Sequence, residues 1–167
     1  MVTSRNIIIL LVACLLGSAL FFFLHSTQEE QIRARLDQLC KEMQKQENEP
    51  ALDSMTRAAR IGKIFRDPCT IYFTSPLVEG TLSRREIIQH ISMARNAFTR
   101  LNLTFFDITF NFPDDRLANL FMTMRVQGYL QGNDEPFSDV RELRMDMKQT
   151  DGTWHISRVE EVQVLER

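Results

Sequence analysis

The residue types that do acid, base or nucleophilic chemistry are sparse in this chain, and none stands in a familiar spacing. There is no Gly-x-Ser-x-Gly, no His-Glu-x-x-His, no Gly-x-x-x-x-Gly-Lys and no Cys-x-x-Cys. A nucleophile elbow, a zinc-protease helix, a phosphate-binding loop and a paired-cysteine redox or zinc site are thereby excluded as motifs. The sequence implies no metal and no cofactor. What remains is the search for polar side chains on otherwise apolar faces, because a pocket does proton-transfer work only with carboxylates, His or Tyr turned into it.

Five residues meet that test. Arg141 shares the strand face of Leu143, Met145 and Met147, and its fork can hold an anionic ligand. Arg158 and Glu160 share the face of Trp154, Ile156, Val162 and Val164; a bulge near Ser157 would turn both outward, as a solvated pair. His90 borders the Ile87, Ile91, Ala94 stripe of a helix. Tyr72 sits on a short strand, where its ring packs and its hydroxyl reaches the edge. Cys40 and Cys69 either pair, if the domain is in an oxidising compartment, or remain two buried thiols. Neither has a Cys or His at ligand spacing.

The elements that must position these residues fall into two halves. Residues 28–46 are charge-rich, with Ile32, Leu36, Leu39 and Met43 on one helical stripe. Asn48-Glu49-Pro50 breaks it, and Asp53 is expected to cap a second helix through Met55, Ala58, Ile61 and Phe65, ended by Asp67-Pro68. Cys69 to Thr74 is a short strand, with turns expected at Ser75-Pro76 and Glu79-Gly80. Ser83-Arg84-Arg85-Glu86 has the form of a capping box at the start of a third helix. After Arg100 the period becomes two. Strands are expected over 102–112, 116–130, 139–149 and 153–165, separated by turn residues. Helices first and a meander afterwards predict an α+β domain, an antiparallel sheet with one face covered by about three helices.

The order of these pieces resembles the nuclear transport factor 2-like superfamily, including its SnoaL-like branch, over residues 28–167. The carrying motifs are Phe65-Arg66-Asp67-Pro68 before Thr70-Ile71-Tyr72-Phe73, and the closing hairpin Asp151-Gly152-Thr153-Trp154-His155-Ile156. The resemblance implies a curved sheet wrapped around helices into a cone with a pocket at its open end. It also implies pairing of two copies through the outer sheet face. It leaves activity open, because isomerases, dehydratases, epoxide hydrolases, ligand binders and silent assembly modules share that fold. The ketosteroid isomerase branch needs a Tyr and two Asp in the pocket, and no Asp here lies on an apolar face. The epoxide hydrolase branch uses Arg-x-Asp; Arg144-Met145-Asp146 has the spacing, but alternation puts both charges on the polar face. Met93, Met122, Met124, Met145 and Met147 form either a soft core or the lining of an apolar cavity.

Ahead of this domain, residues 1–6 form a short tail, and 16 of the 18 residues from Ile7 to Leu24 are apolar, with no charge. A helix of that length spans about 27 Å, against the roughly 30 Å of a bilayer core. The run ends in Phe21-Phe22-Phe23-Leu24-His25, without the small-x-small site of a cleaved leader. Leu11-Val12-Ala13-Cys14 resembles a bacterial lipobox, but an apolar stretch and not a polar tether follows it. The segment 7–24 reads as a transmembrane helix or uncleaved signal anchor. Arg5 before it and Glu29-Glu30 after it orient the domain outside the cytoplasm, in the periplasm if the host is bacterial. Downstream of Arg5 there are 19 bases and 22 acids, a net of −3, which disfavours nucleic acid as a partner.

The reading that follows is a single-pass protein of the inner membrane whose exported, non-enzymatic domain engages an envelope protein partner or a hydrophobic small molecule. An assembly component of type IV secretion systems has the same layout. The competing reading is a SnoaL-like isomerase or hydrolase with Arg141, His90 and Glu160 as its polar set, which requires Glu160 to face inward. A third is a spacer whose interior is filled by large side chains.

Overall fold

A computed structural model describes residues 27–74 and 77–162. The expected membrane segment 7–24, the Ser75-Pro76 turn and the end of the last expected strand lie outside these residues. No described helix is long and apolar enough to cross a membrane. The chain divides into two compact units, Met1–Ile32 and Arg33–Arg167. Of the first, the described part is the start of a helix, where Thr27 and Glu30 exchange capping hydrogen bonds of 2.8 and 3.2 Å.

Three helices form. They are α1, Gln28–Met43; α2, Ala51–Gly62; and α3, Arg84–Asn96. The capping box at Ser83 and Glu86 is present in both directions. Asp53 does not cap α2. Pro50 holds that position with φ −59° and ψ 141°, its ring presetting the helical entry, and Asp53 lies in the first turn, where a carboxylate favours the helix dipole. The two shorter helices approach closely at Gly62, where a Cβ would lie 2.5 Å from Ile88.

The sheet has six strands: β1 Phe65–Thr74, β2 Leu77–Leu82, β3 Phe98–Asp114, β4 Leu117–Leu130, β5 Pro136–Thr150 and β6 Thr153–Glu161. Their order is β2-β1-β6-β5-β4-β3. The sequence reading missed β2 because Glu79-Gly80 looks like a turn; Gly80 instead sits inside the strand at φ 135°, a conformation open to glycine alone at no cost. Asp67-Pro68, expected to end a helix, is a cis peptide within β1. The sheet is also not wholly antiparallel, because β1 runs parallel to β6, the two joined through α3 and the meander.

Alternation along the strands splits the residues cleanly. On the inner face Trp154, Leu120, Leu143, Met145, Met147 and Ile156 are each 2% exposed or less. Burial at this level is worth about 1.5–3 kcal/mol per side chain. From α2 and the turn after it, Ala58, Ile61 and Ile64 are buried as well. Met55 and Met93, expected in the core, are 68% and 59% exposed.

Candidate functional site

The inner face carries one charged cluster, where the ends of β1 and β6 meet the start of β5. Arg141 donates from Nε to Asp139 at 2.7 Å, and from a terminal nitrogen to both oxygens of Glu161 at 3.2 Å. Glu161 also accepts from the Thr74 backbone N–H at 2.8 Å and from its hydroxyl at 2.6 Å. Burial alone would raise the Glu161 carboxyl, but the two Thr74 hydrogen bonds and the Arg141 charge outweigh it and hold the pKa below the usual carboxylate value. Two carboxylates, Asp139 and Glu161, thus share one guanidinium. The Nε and one terminal nitrogen of Arg141, whose fork was read as an anion holder, are engaged by the protein's own acids.

Glu161 was not among the expected residues, and a bulge explains why. Met147 pairs with Ile156 but Asp146 pairs with Arg158, leaving Ser157 as the extra residue. Past it the faces exchange. Val159 is 5% exposed beside Trp154 and Ile156, and Glu161 pairs with Leu143 on the inner face. Arg158 and Glu160 turn outward, as the bulged alternative required, and form an ion pair at 3.2 Å with side chains 44% and 34% exposed.

On the outer face the register aligns one residue from every strand: Thr109, Phe121, Arg144, Glu160, Tyr72 and Glu79. Cations lie over the rings of this row. Arg144 is 4.8 Å from the Phe121 centroid and Arg158 5.5 Å from that of Tyr72, which pins long side chains over aromatic faces. Phe121 remains 43% exposed, and Leu77 and Val162 are 76% and 36% exposed. These residues line a recess of about 490 Å³ that reaches Glu161 at its inner edge. Of the five sequence candidates, Tyr72, Arg158 and Glu160 come together here, Arg141 lies on the other face, and His90 is exposed on α3, apart from both. Arg144 and Asp146 stand on the outer face, as alternation placed them. Asp107 is exposed at a bulge of β3, with φ 53°.

Cys40 and Cys69 are separate thiols. Burial pushes Cys40 up to about 11, opposed by the Phe105 backbone and helped by Asp37, and burial pushes Cys69 up to about 12. Neither is a nucleophile near neutral pH. Among the described residues no group of His, Cys, Asp and Glu could hold a metal ion.

No protein-family model matches the sequence, and no curated protein matches it. Solved structures do match in fold. A putative scytalone dehydratase from Novosphingobium aromaticivorans superposes with a TM-score of 0.68 at 12% identity, over 83% of this chain and 85% of that one. An NTF2-like protein with a cystatin-like fold, from the same genus and species, gives 0.65 at 15% identity, over 100% and 94%. A putative calcium/calmodulin-dependent protein kinase II association domain from Xanthomonas campestris gives 0.65 at 11% identity, over 85% and 91%. The fold is nuclear transport factor 2-like.

Proposed function

We propose that this chain is a non-enzymatic binding module, anchored in the inner membrane by residues 7–24 with its folded part outside the cytoplasm, and that its working surface is the outer-face recess around Phe121. The partner is a protein, and a second copy of this chain fits first, because Arg144 and Glu160 stand side by side with opposite sign in the row and can pair with their own counterparts. The observation that carries this reading is the filled interior. Where a pocket would be, Trp154, Leu120, Leu143, Met145 and Met147 are each at most 2% exposed, and the inner charges of Arg141 and Glu161 are occupied by one another. The likeness to an association domain is in keeping with an assembly role.

The test is a photo-crosslinking residue in place of Phe121 in the full chain, in its own membrane. A light-dependent band at twice the chain mass, or a single heterologous adduct, is expected. Labelling no different from a probe at the exposed Asn133 turn would refute the reading. Protease accessibility of the domain from outside intact cells tests the orientation in the same preparation.

A second reading has one observation in its favour. Glu161 is an ionised, largely buried carboxylate at the edge of a recess that also holds Tyr72, and solved neighbours include a putative scytalone dehydratase and a putative aromatic ring hydroxylase. In that case Glu161, and not Glu160, is the base for a small-molecule substrate. Loss of a measured turnover in Glu161→Gln, with the fold intact, would establish it over the binding reading.

A further inference from the structure

A second recess lies on the outer face at the opposite end of β6, and two irregularities create it. Phe65 pairs with Ile156 and Thr70 with Arg158, so Arg66, Asp67, Pro68 and Cys69 together stand opposite Ser157. Ser157 is also the residue skipped in the β5–β6 register. The strands part here around a hollow of about 330 Å³, bordered by Arg66, Pro68, Asn119, Asp146, Lys148 and Arg158. That volume is at the small end of ligand pockets.

The charges around it are unbalanced. Three cations face one carboxylate, and that carboxylate, Asp146, already accepts from Asn119 at 2.7 Å. The side chains of Arg66 and Lys148, both exposed, make no hydrogen bond or ion pair with any described residue. Arg158 meets Glu160 through a terminal nitrogen, while its Nε is buried and donates to nothing. A buried donor without an acceptor costs about 1–3 kcal/mol. Asp67, next to Arg66 in β1, is turned to the start of α3, where it accepts from the Arg84 backbone N–H at 3.2 Å. His155 lies cross-strand from Lys148. Burial first, and then the charges of Arg35, Arg84 and Arg66, depress its pKa against the pull of the Thr153 carbonyl.

We propose that this hollow is a phosphate-monoester site, held by Arg66, Lys148 and Arg158. A dianion there would offset the repulsion among the cations. The site shares Arg158 with the surface around Phe121, where that side chain lies over Tyr72 and meets Glu160. The same chemistry reaches the protein from two sources, a free phosphate or the headgroup of phosphatidic acid.

Acetylation of Lys148, read by mass spectrometry against the exposed Lys63, separates them. The full chain is held in phosphatidylcholine nanodiscs and titrated with inorganic phosphate, with sodium chloride of matched ionic strength as the control. Slowing of Lys148 alone by about tenfold near nine-tenths occupancy, absent in Arg66→Gln, is the expected result for free phosphate. Slowing that appears without added phosphate, in nanodiscs containing phosphatidic acid and not in pure phosphatidylcholine, assigns the site to the headgroup. A Lys148 rate unchanged in every condition, or protection that survives Arg66→Gln, overturns the proposal.

Discussion

Arg95 is fully buried, and replacing it by Met should unfold the helical layer more readily than any other change to a charged residue. One of its terminal nitrogens donates to the carbonyls of Glu42, Met43 and Gln44 at 2.6, 2.6 and 3.2 Å, and the other meets Glu49 at 2.6 Å. Arg95 thus serves as the C-terminal cap of α1, satisfying carbonyls that the helix leaves unpaired. Lys45 returns the favour, donating to the carbonyls of Arg95 and Phe98 at 2.9 and 2.7 Å at the end of α3. Met fills the volume but leaves the α1 carbonyls without their donor, and leaves the largely buried Glu49 with Arg57 alone, at 3.1 Å. The loss should be about 3–5 kcal/mol, the usual consequence of breaking a buried pair from one side, or roughly 10–20 °C in Tm for a unit of this size. Urea unfolding followed by Trp154, the chain's one tryptophan and 1% exposed, measures it directly. Arg95→Lys, which restores the charge but not the fork, should recover part of the loss. A cost below about 1 kcal/mol for Arg95→Met, with an unchanged denaturant slope, would show that these carbonyls are satisfied some other way.

Glu161→Gln should be less stable than the parent above about pH 5 and converge with it as pH falls through about 4 and below. The sign follows from the depressed folded pKa of Glu161, since such a group contributes only while it is ionised in both states; a gap that persists at acid pH would contradict the charge network. Alkylation of Cys40 and Cys69 at pH 8 should be roughly a hundredfold or more slower than for a free thiol, from the small thiolate fraction, and should become fast in denaturant. Rapid native alkylation, read at each site by mass spectrometry, would contradict their buried environments.

The centre of the meander was legible because β4 and β5 pair without a register shift: Ala118, Leu120 and Met122 are buried where period two placed them. The capping box at Ser83 was legible from four residues. What misled was local punctuation. Glu79-Gly80 carries a turn signal that pairing with β1 overrides, and Asp67-Pro68 carries a stop signal that the sheet absorbs as a bulge. The inner carboxylate turned on one extra residue, Ser157, which reverses every face after it; the sequence offered that bulge as an alternative that turns Arg158 and Glu160 outward, without following it on to Glu161. Arg95 was missed for a different reason. It lies four residues past Ile91 and eight past Ile87, on the buried stripe itself, but a charge at that position reads as the end of the stripe unless the carbonyls it must cap are counted.

Native mass spectrometry of the full chain, extracted gently from its own membrane, tests at once for an interior filled by the protein's own side chains and for a partner held on the outer face. A protein assembly of defined stoichiometry with no retained small molecule is the predicted result, with the assembly lost in Phe121→Asp. A lone chain carrying a reproducible small-molecule mass would contradict it, and would move the working site back inside the sheet.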